Sequence, residues 1–233
     1  MKRILLLLPF FFLFNCADGQ ILKKAQGILG GGAGFTTEEA ANALKQALEQ
    51  GTVKGVSALS VKDGYFKNPQ VRIPFPEEAK NVEQKLRAVG AGKLVDDAEE
   101  ALNRAAELAA EEAKDIFVAT IKRLTVRDAI NIVKGEQDAA TQFLERETTA
   151  ELTTKFKPII DSSLKAVDAT KYWDDVIGKY NQIPFVKKVN TDLTAYVTEK
   201  ALDGLFVMIA KEELNIRKNP AARTTALLEK VFK

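Results

Sequence analysis

An all-α single domain is the fold class this sequence predicts, and three observations carry it. From residue 36 onward, apolar side chains recur at three- and four-residue spacing almost to the end of the chain. Helix-start signals open several of these runs, and glycine or proline closes most of them. One stretch of period-two alternation stands at residues 71–75 with no second strand pattern to pair with it. The expectation is a multi-helix domain over residues 36–233, about ten helices with short connections, crossed by one extended proline-containing strap.

Thr36-Thr37-Glu38-Glu39 reads as a capping box, a threonine hydroxyl satisfying an orphan amide while Glu39 reaches back. It opens a helix with Ala40, Leu44, Ala47, Leu48, Val56 and Leu59 inward. Gly51 and Gly55 weaken that helix late, at about 1 kcal/mol each relative to Ala. Asp63-Gly64 marks a turn. Residues 65–76 then carry Pro69, Pro74 and Pro76, which push Asn68, Ile73 and Phe75 out of the α region. This strap is expected to lie extended across the helices or to form a short hairpin near Tyr65. Val71, Ile73 and Phe75 fall on one side of it, Gln70 and Arg72 on the other.

Further helices are expected from Pro76 to Gly90, from about Lys93 to Glu112, and over 114–124. Thr125 and Gly135 bound a short one. Asp138 and Thr141 read as N-terminal capping of the next, and Thr148 with Glu151 reads as a capping box starting another. Tyr172, Trp173, Val176, Ile177 and Tyr180 mark a helix that breaks by Pro184, with Trp173 in the core rather than in an exposed aromatic patch. Asn190-Thr191-Asp192 caps the longest helix, 192–218; Pro220 interrupts, and 221–232 closes the chain.

Residues 1–15 read as a lipoprotein-type signal peptide. Lys2 and Arg3 give a positive start, and the apolar run Ile4–Leu13 is too short to span a bilayer as a permanent helix. Leu13-Phe14-Asn15-Cys16 has the leucine expected three residues before a lipidated cysteine, with Asn15 larger than the usual small residue before it. Cys16 is therefore the expected lipidation site and the membrane partner's attachment point. That address is the bacterial cell envelope, on the periplasm-facing outer membrane; a secreted soluble form and a retained anchor are the alternatives. Residues 16–35, with Gly30-Gly31-Gly32-Ala33-Gly34, read as a flexible tether. They lack the preceding strand and the following Gly-Lys-Ser/Thr that phosphate loops need.

Composition then excludes several classes. The chain has 34 Lys+Arg against 32 Asp+Glu, and removing Lys2 and Arg3 with the signal leaves 32 of each. A neutral remainder argues against a nucleic-acid partner. Residues 77–115 hold eleven acids against six bases, and 179–233 ten bases against six acids, read as solvated faces of opposite sign. There is no histidine and one cysteine. An intramolecular disulfide, Ser-His-Asp and Cys-His catalysis, and His-ligated metals are thereby excluded. No cofactor or metal is expected, a hard cation on Glu99, Glu100, Glu107, Glu111 and Glu112 being the residual metal reading.

Four strings occur in order: Asn68-Pro69-Gln70-Val71-Arg72-Ile73-Pro74, Asp138-Ala139-Ala140-Thr141, Lys200-Ala201-Leu202-Asp203-Gly204-Leu205-Phe206 and Ile216-Arg217-Lys218-Asn219-Pro220. In these the chain resembles the bacterial domain of unknown function 4197 family over roughly residues 36–232. The resemblance implies an exported, mostly helical bacterial protein and supplies no activity, cofactor or catalytic residue.

Gly204 lies inside the longest helix, where Ala would normally be favoured, so another segment is expected to approach closely there, and the strap is the candidate. Asp203 is then placed to receive Arg72 in a structural ion pair fixing the strap. The alternative is a polar cleft of Arg72, Asp203 and Arg217 for a small anionic ligand; Arg217 also complements the helix dipole. The expected role is a non-catalytic binding or interaction module taking a protein or a small anionic ligand. A helical enzyme using carboxylate and arginine chemistry on an envelope substrate is the alternative.

Overall fold

The computed structural model describes residues 36–182, 184, 185, 188, 192–223 and 229. The expectations for the signal, Cys16, the tether and most of the closing helix fall outside these. The described residues form eight α-helices and no strand. They are α1 Thr37–Leu59, α2 Lys80–Ala88, α3 Gly92–Ala110, α4 Ala113–Arg123, α5 Val126–Lys134, α6 Ala139–Ala166, α7 Ala169–Tyr180 and α8 Leu193–Lys218. Single 3-10 turns stand at Glu77–Ala79 and Pro220–Ala222.

The count falls below ten partly because one expected boundary is absent. Thr148 caps nothing: its hydroxyl donates to Leu144 O in mid-helix, and α6 runs through it as one 28-residue element containing Pro158. The other threonine starts hold. Glu39 N donates to Thr36 Oγ1 at 3.1 Å while Glu39 Oε2 accepts from Thr36 N at 2.6 Å. Thr125 and Asp128 make the same reciprocal pair at the start of α5.

α8 is the element the others surround. It packs against α6, α1 and α3, and buries Val197, Ala201, Leu205, Met208 and Ile209. α6 also takes α3 and α4, and α1 takes α4 and α5. Gly51 and Gly55 do not break α1, which runs on to Leu59, because both face α8. A Cβ there would lie 3.4 Å from Ile216 and 3.6 Å from Ile209 respectively. The glycines therefore set a close helix approach.

The strap follows α1. Asp63 takes a positive φ of 71°, and at Gly64 a Cβ would stand 2.5 Å from Leu59 O, so only glycine fits that turn. Residues 72–76 then run without ladder partners, Val71 and Ile73 inside, Arg72 and Pro74 outside. α2 beyond it has no fully buried residue and rests chiefly on α3.

Candidate functional site

An extended segment outside any sheet leaves its backbone amides and carbonyls to find other partners. Here α3 and α8 provide them. Asn103, fully buried, accepts from Ile73 N and donates to Ile73 O, both at 2.8 Å, standing in for a neighbouring strand. Glu107, buried on the same face of α3, accepts from Tyr65 N and Phe66 N, each at 3.1 Å. Arg104 holds that carboxylate at 2.7 Å and also reaches Asp63 and Glu100. From α8, Tyr65 Oη finds Ala201 O at 2.7 Å and Tyr196 Oη finds Pro74 O at 3.0 Å. Burial first, and the Glu107 charge second, push the Tyr65 phenol above its usual range. Arg104 and Lys67 hold the Asp63 carboxyl below its own.

Gly204 is where the strap seats, as its place in the helix predicts. A Cβ on it would meet Tyr65 Cε1 at 2.8 Å and Val71 Cβ at 3.0 Å. The ion pair expected beside it is not made. With Val71 turned to α8, the next side chain along the strap points away, and Arg72 joins Glu99 of α3 at 3.0 Å over the Phe66 ring. Asp203 is exposed and takes Lys200 at 2.8 Å. Arg217 grips Glu213 at 2.7 Å and donates to Ile132 O. No hydrogen bond or ion pair joins any two of Arg72, Asp203 and Arg217.

Glu213 reveals another point the sequence reading missed. Its carboxylate accepts from Ala140 N at 3.1 Å, Thr141 N at 2.9 Å and Thr141 Oγ1 at 2.8 Å. The start of α6 is thus capped from α8, whereas Asp138 makes no capping bond and takes Gln142 Nε2 instead. The available signal was a carboxylate among the inward Ile209 and Ile216 with an arginine four residues on. Asn103 and Glu107 give the same signal, two polar residues one turn apart beside Leu102, Ala106 and Ala110. The chain also carries Ser-x-x-Lys spacing at Ser162 and Lys165. The Ser162 hydroxyl donates to Ile159 O and Lys165 pairs with Asp161, both in solvent. In the α3 row, Glu99, Glu100 and Glu107 each face a guanidinium, and no metal-holding group occurs among the described residues.

Beyond the clamped strap, its end at Phe75 roofs an apolar pocket of about 240 Å³. Leu86 of α2, Ala98 of α3, Trp173 and Ile177 of α7 and Leu193 of α8 form its walls. The Phe75 and Trp173 rings meet tilted, centroids 5.7 Å apart. Trp173 is buried, as expected; the Tyr172 side chain lies outside the described residues. Leu94 and Val167, 51% and 55% exposed, leave apolar surface at the mouth. Among the described residues Asp97 is the one charged lining residue, and Lys93 holds both its oxygens at 2.7 Å. The pocket exceeds the roughly 150 Å³ that admits benzene in an engineered apolar cavity, and small alanines rather than large side chains leave the room.

Fold and pocket define the class: an all-α domain built on a clamped strap, with an apolar pocket at the strap's end. Within that class, the chain belongs to the family described as protein of unknown function, domain of unknown function 4197, whose profile matches residues 34–233. No curated protein and no solved structure matches it. The four strings that carry the family resemblance sit where the fold is fastened: the strap, its seat at Gly204, the capped start of α6, and Arg217 behind the cap.

Proposed function

We propose that this chain is a non-catalytic binding module of the bacterial cell envelope, lipid-anchored through Cys16, whose pocket holds the apolar chain or ring of a small ligand. The observation that carries the binding reading is the apolar pocket of about 240 Å³ between strap, α2, α3, α7 and α8. The described wall residues are apolar but for the Lys93-bound Asp97, and apolar burial alone contributes roughly 25 cal/mol per Å². Arg72, Asp203 and Arg217 are each engaged with separate partners, so the geometry lends the carboxylate–arginine enzyme no support. The lipid anchor rests on the sequence around Cys16.

Organic extraction of the full chain purified from the envelope fraction, followed by mass spectrometry, tests the binding reading. A stoichiometric apolar molecule that disappears in Ala98→Leu is expected. An empty extract, or one unchanged by that substitution, contradicts it. Lipid labelling of wild type and Cys16→Ser tests the anchor, and label persisting in the variant overturns it.

A further inference from the structure

We propose that α2 is a lid on the apolar pocket, opening apart from the rest of the domain and held shut by the ligand it covers.

The helical walls of the pocket are not equally anchored. α3, α7 and α8 each root their share of the lining in the core, through Val95 and Leu102, Trp173 and Ile177, and Leu193. α2 contributes Val82 and Leu86, four residues apart on one face, and both are only half-buried. Of the eight helices among the described residues, it alone has no fully buried residue. At nine residues it is also too short to hold its shape without packing.

Both ends of α2 suit a moving part. Before it, Ala79 is fully buried and its amide donates to Pro76 O at 2.8 Å, which pins the chain where the lid begins. After it, Gly90 takes a φ of 83°, and a Cβ there would meet nothing within 4 Å. Gly92 starts α3, and a Cβ on it would find its nearest neighbour in the Arg87 side chain of the lid itself, 3.7 Å away. Two glycines with one alanine between them thus form a joint that does not lean on the core.

Little polar contact ties the lid down. Among the described residues one ion pair joins α2 to α3, Arg87 to Asp96 at 2.9 Å, with side chains 39% and 64% exposed. Exposed pairs of this kind hold weakly. The other acid on Arg87, Glu83, belongs to α2. Closure therefore depends on Val82 and Leu86, and an apolar ligand in the pocket extends the surface against which they are buried. Such a ligand favours the closed state over the open one, so occupancy shifts the lid toward closed.

Hydrogen exchange of the full chain, with N-phenyl-1-naphthylamine as probe, tests the lid. Amides of α2 are expected to exchange faster than those of residues 102–110 in α3, and free probe at about ten times its dissociation constant should slow them about tenfold. The lid has a role only if the pocket takes an apolar ligand, and the two fail separately. Without saturable probe binding both fall. With it, α2 amides that exchange no faster than those of α3, or that gain no protection, overturn the lid alone. A covalent latch supplies the second measurement. In a Cys16→Ser chain, Arg87→Cys/Asp96→Cys joined by a short bismaleimide should release the probe at least about tenfold more slowly than the same chain before joining. Equal release rates overturn the lid.

Discussion

The two halves of α3 meet the strap in opposite ways. Toward its C-terminal half it offers Asn103, Arg104 and Glu107, and every buried polar group of Tyr65, Phe66 and Ile73 that these reach is satisfied. Toward its N-terminal half it offers Ala98 and Ala101, and a void remains. The difference teaches how the pocket persists. Hydrogen bonds fix the strap at Tyr65 and Phe66 and again at Ile73 and Pro74, so Phe75 just beyond them can roof the pocket without collapsing into it. Interiors normally close over such room; this one is propped.

Breaking the clamp has the largest expected effect. Glu107→Ala leaves the Tyr65 amide buried without an acceptor and Arg104 without its most buried acid, and should destabilise by about 3 kcal/mol in denaturant unfolding. Glu107→Gln, which keeps an acceptor oxygen, should lose less. Equal losses would show that charge rather than the amide contacts fixes the strap. Gly204→Val drives a branched side chain into Tyr65 and Val71 and should destabilise by about 2 kcal/mol, read as a lowered melting temperature.

On the pocket side the sign reverses. Ala98→Leu adds methylenes to empty space and should leave stability unchanged or raise it by about 1 kcal/mol, while abolishing apolar ligand uptake. A loss as large as that of Gly204→Val would mean the room is not there to fill.

The smallest effect is in pH. The Asp63 carboxyl titrates below its unfolded value, so its contribution is present above about pH 4 and fades as pH falls through the lower folded value. The Tyr65 phenol titrates above its own, so its contribution is complete below about pH 10 and fades as pH rises beyond that. Amide exchange at residues 65–73 should therefore accelerate at both extremes. The walls formed by Ala98, Ile177 and Leu193 carry no titrating group and should follow only global unfolding.

The helices, the Thr36 capping box, the helix start at Thr125, the Asp63-Gly64 turn and the seat at Gly204 were legible in the sequence because each is a local signal. What escaped is non-local. Arg72 choosing Glu99 over Asp203 depends on which way the strap turns once Val71 is buried. Glu213 capping α6 joins residues some seventy positions apart, which no spacing rule reaches. Thr148 misled because a hydroxyl that bonds back to Leu144 O inside a helix has the same sequence pattern as one that starts a helix. The pocket was invisible for another reason: a void has no residue of its own.

The most direct measurement uses Trp173, the chain's one tryptophan, which lines the pocket. Titrating the full chain with the neutral apolar probe N-phenyl-1-naphthylamine should quench its fluorescence saturably, by energy transfer, at one site per chain. Ala98→Leu should remove that quenching with the fold intact. Non-saturable quenching, or identical curves for wild type and Ala98→Leu, would contradict an apolar binding pocket propped open by the strap.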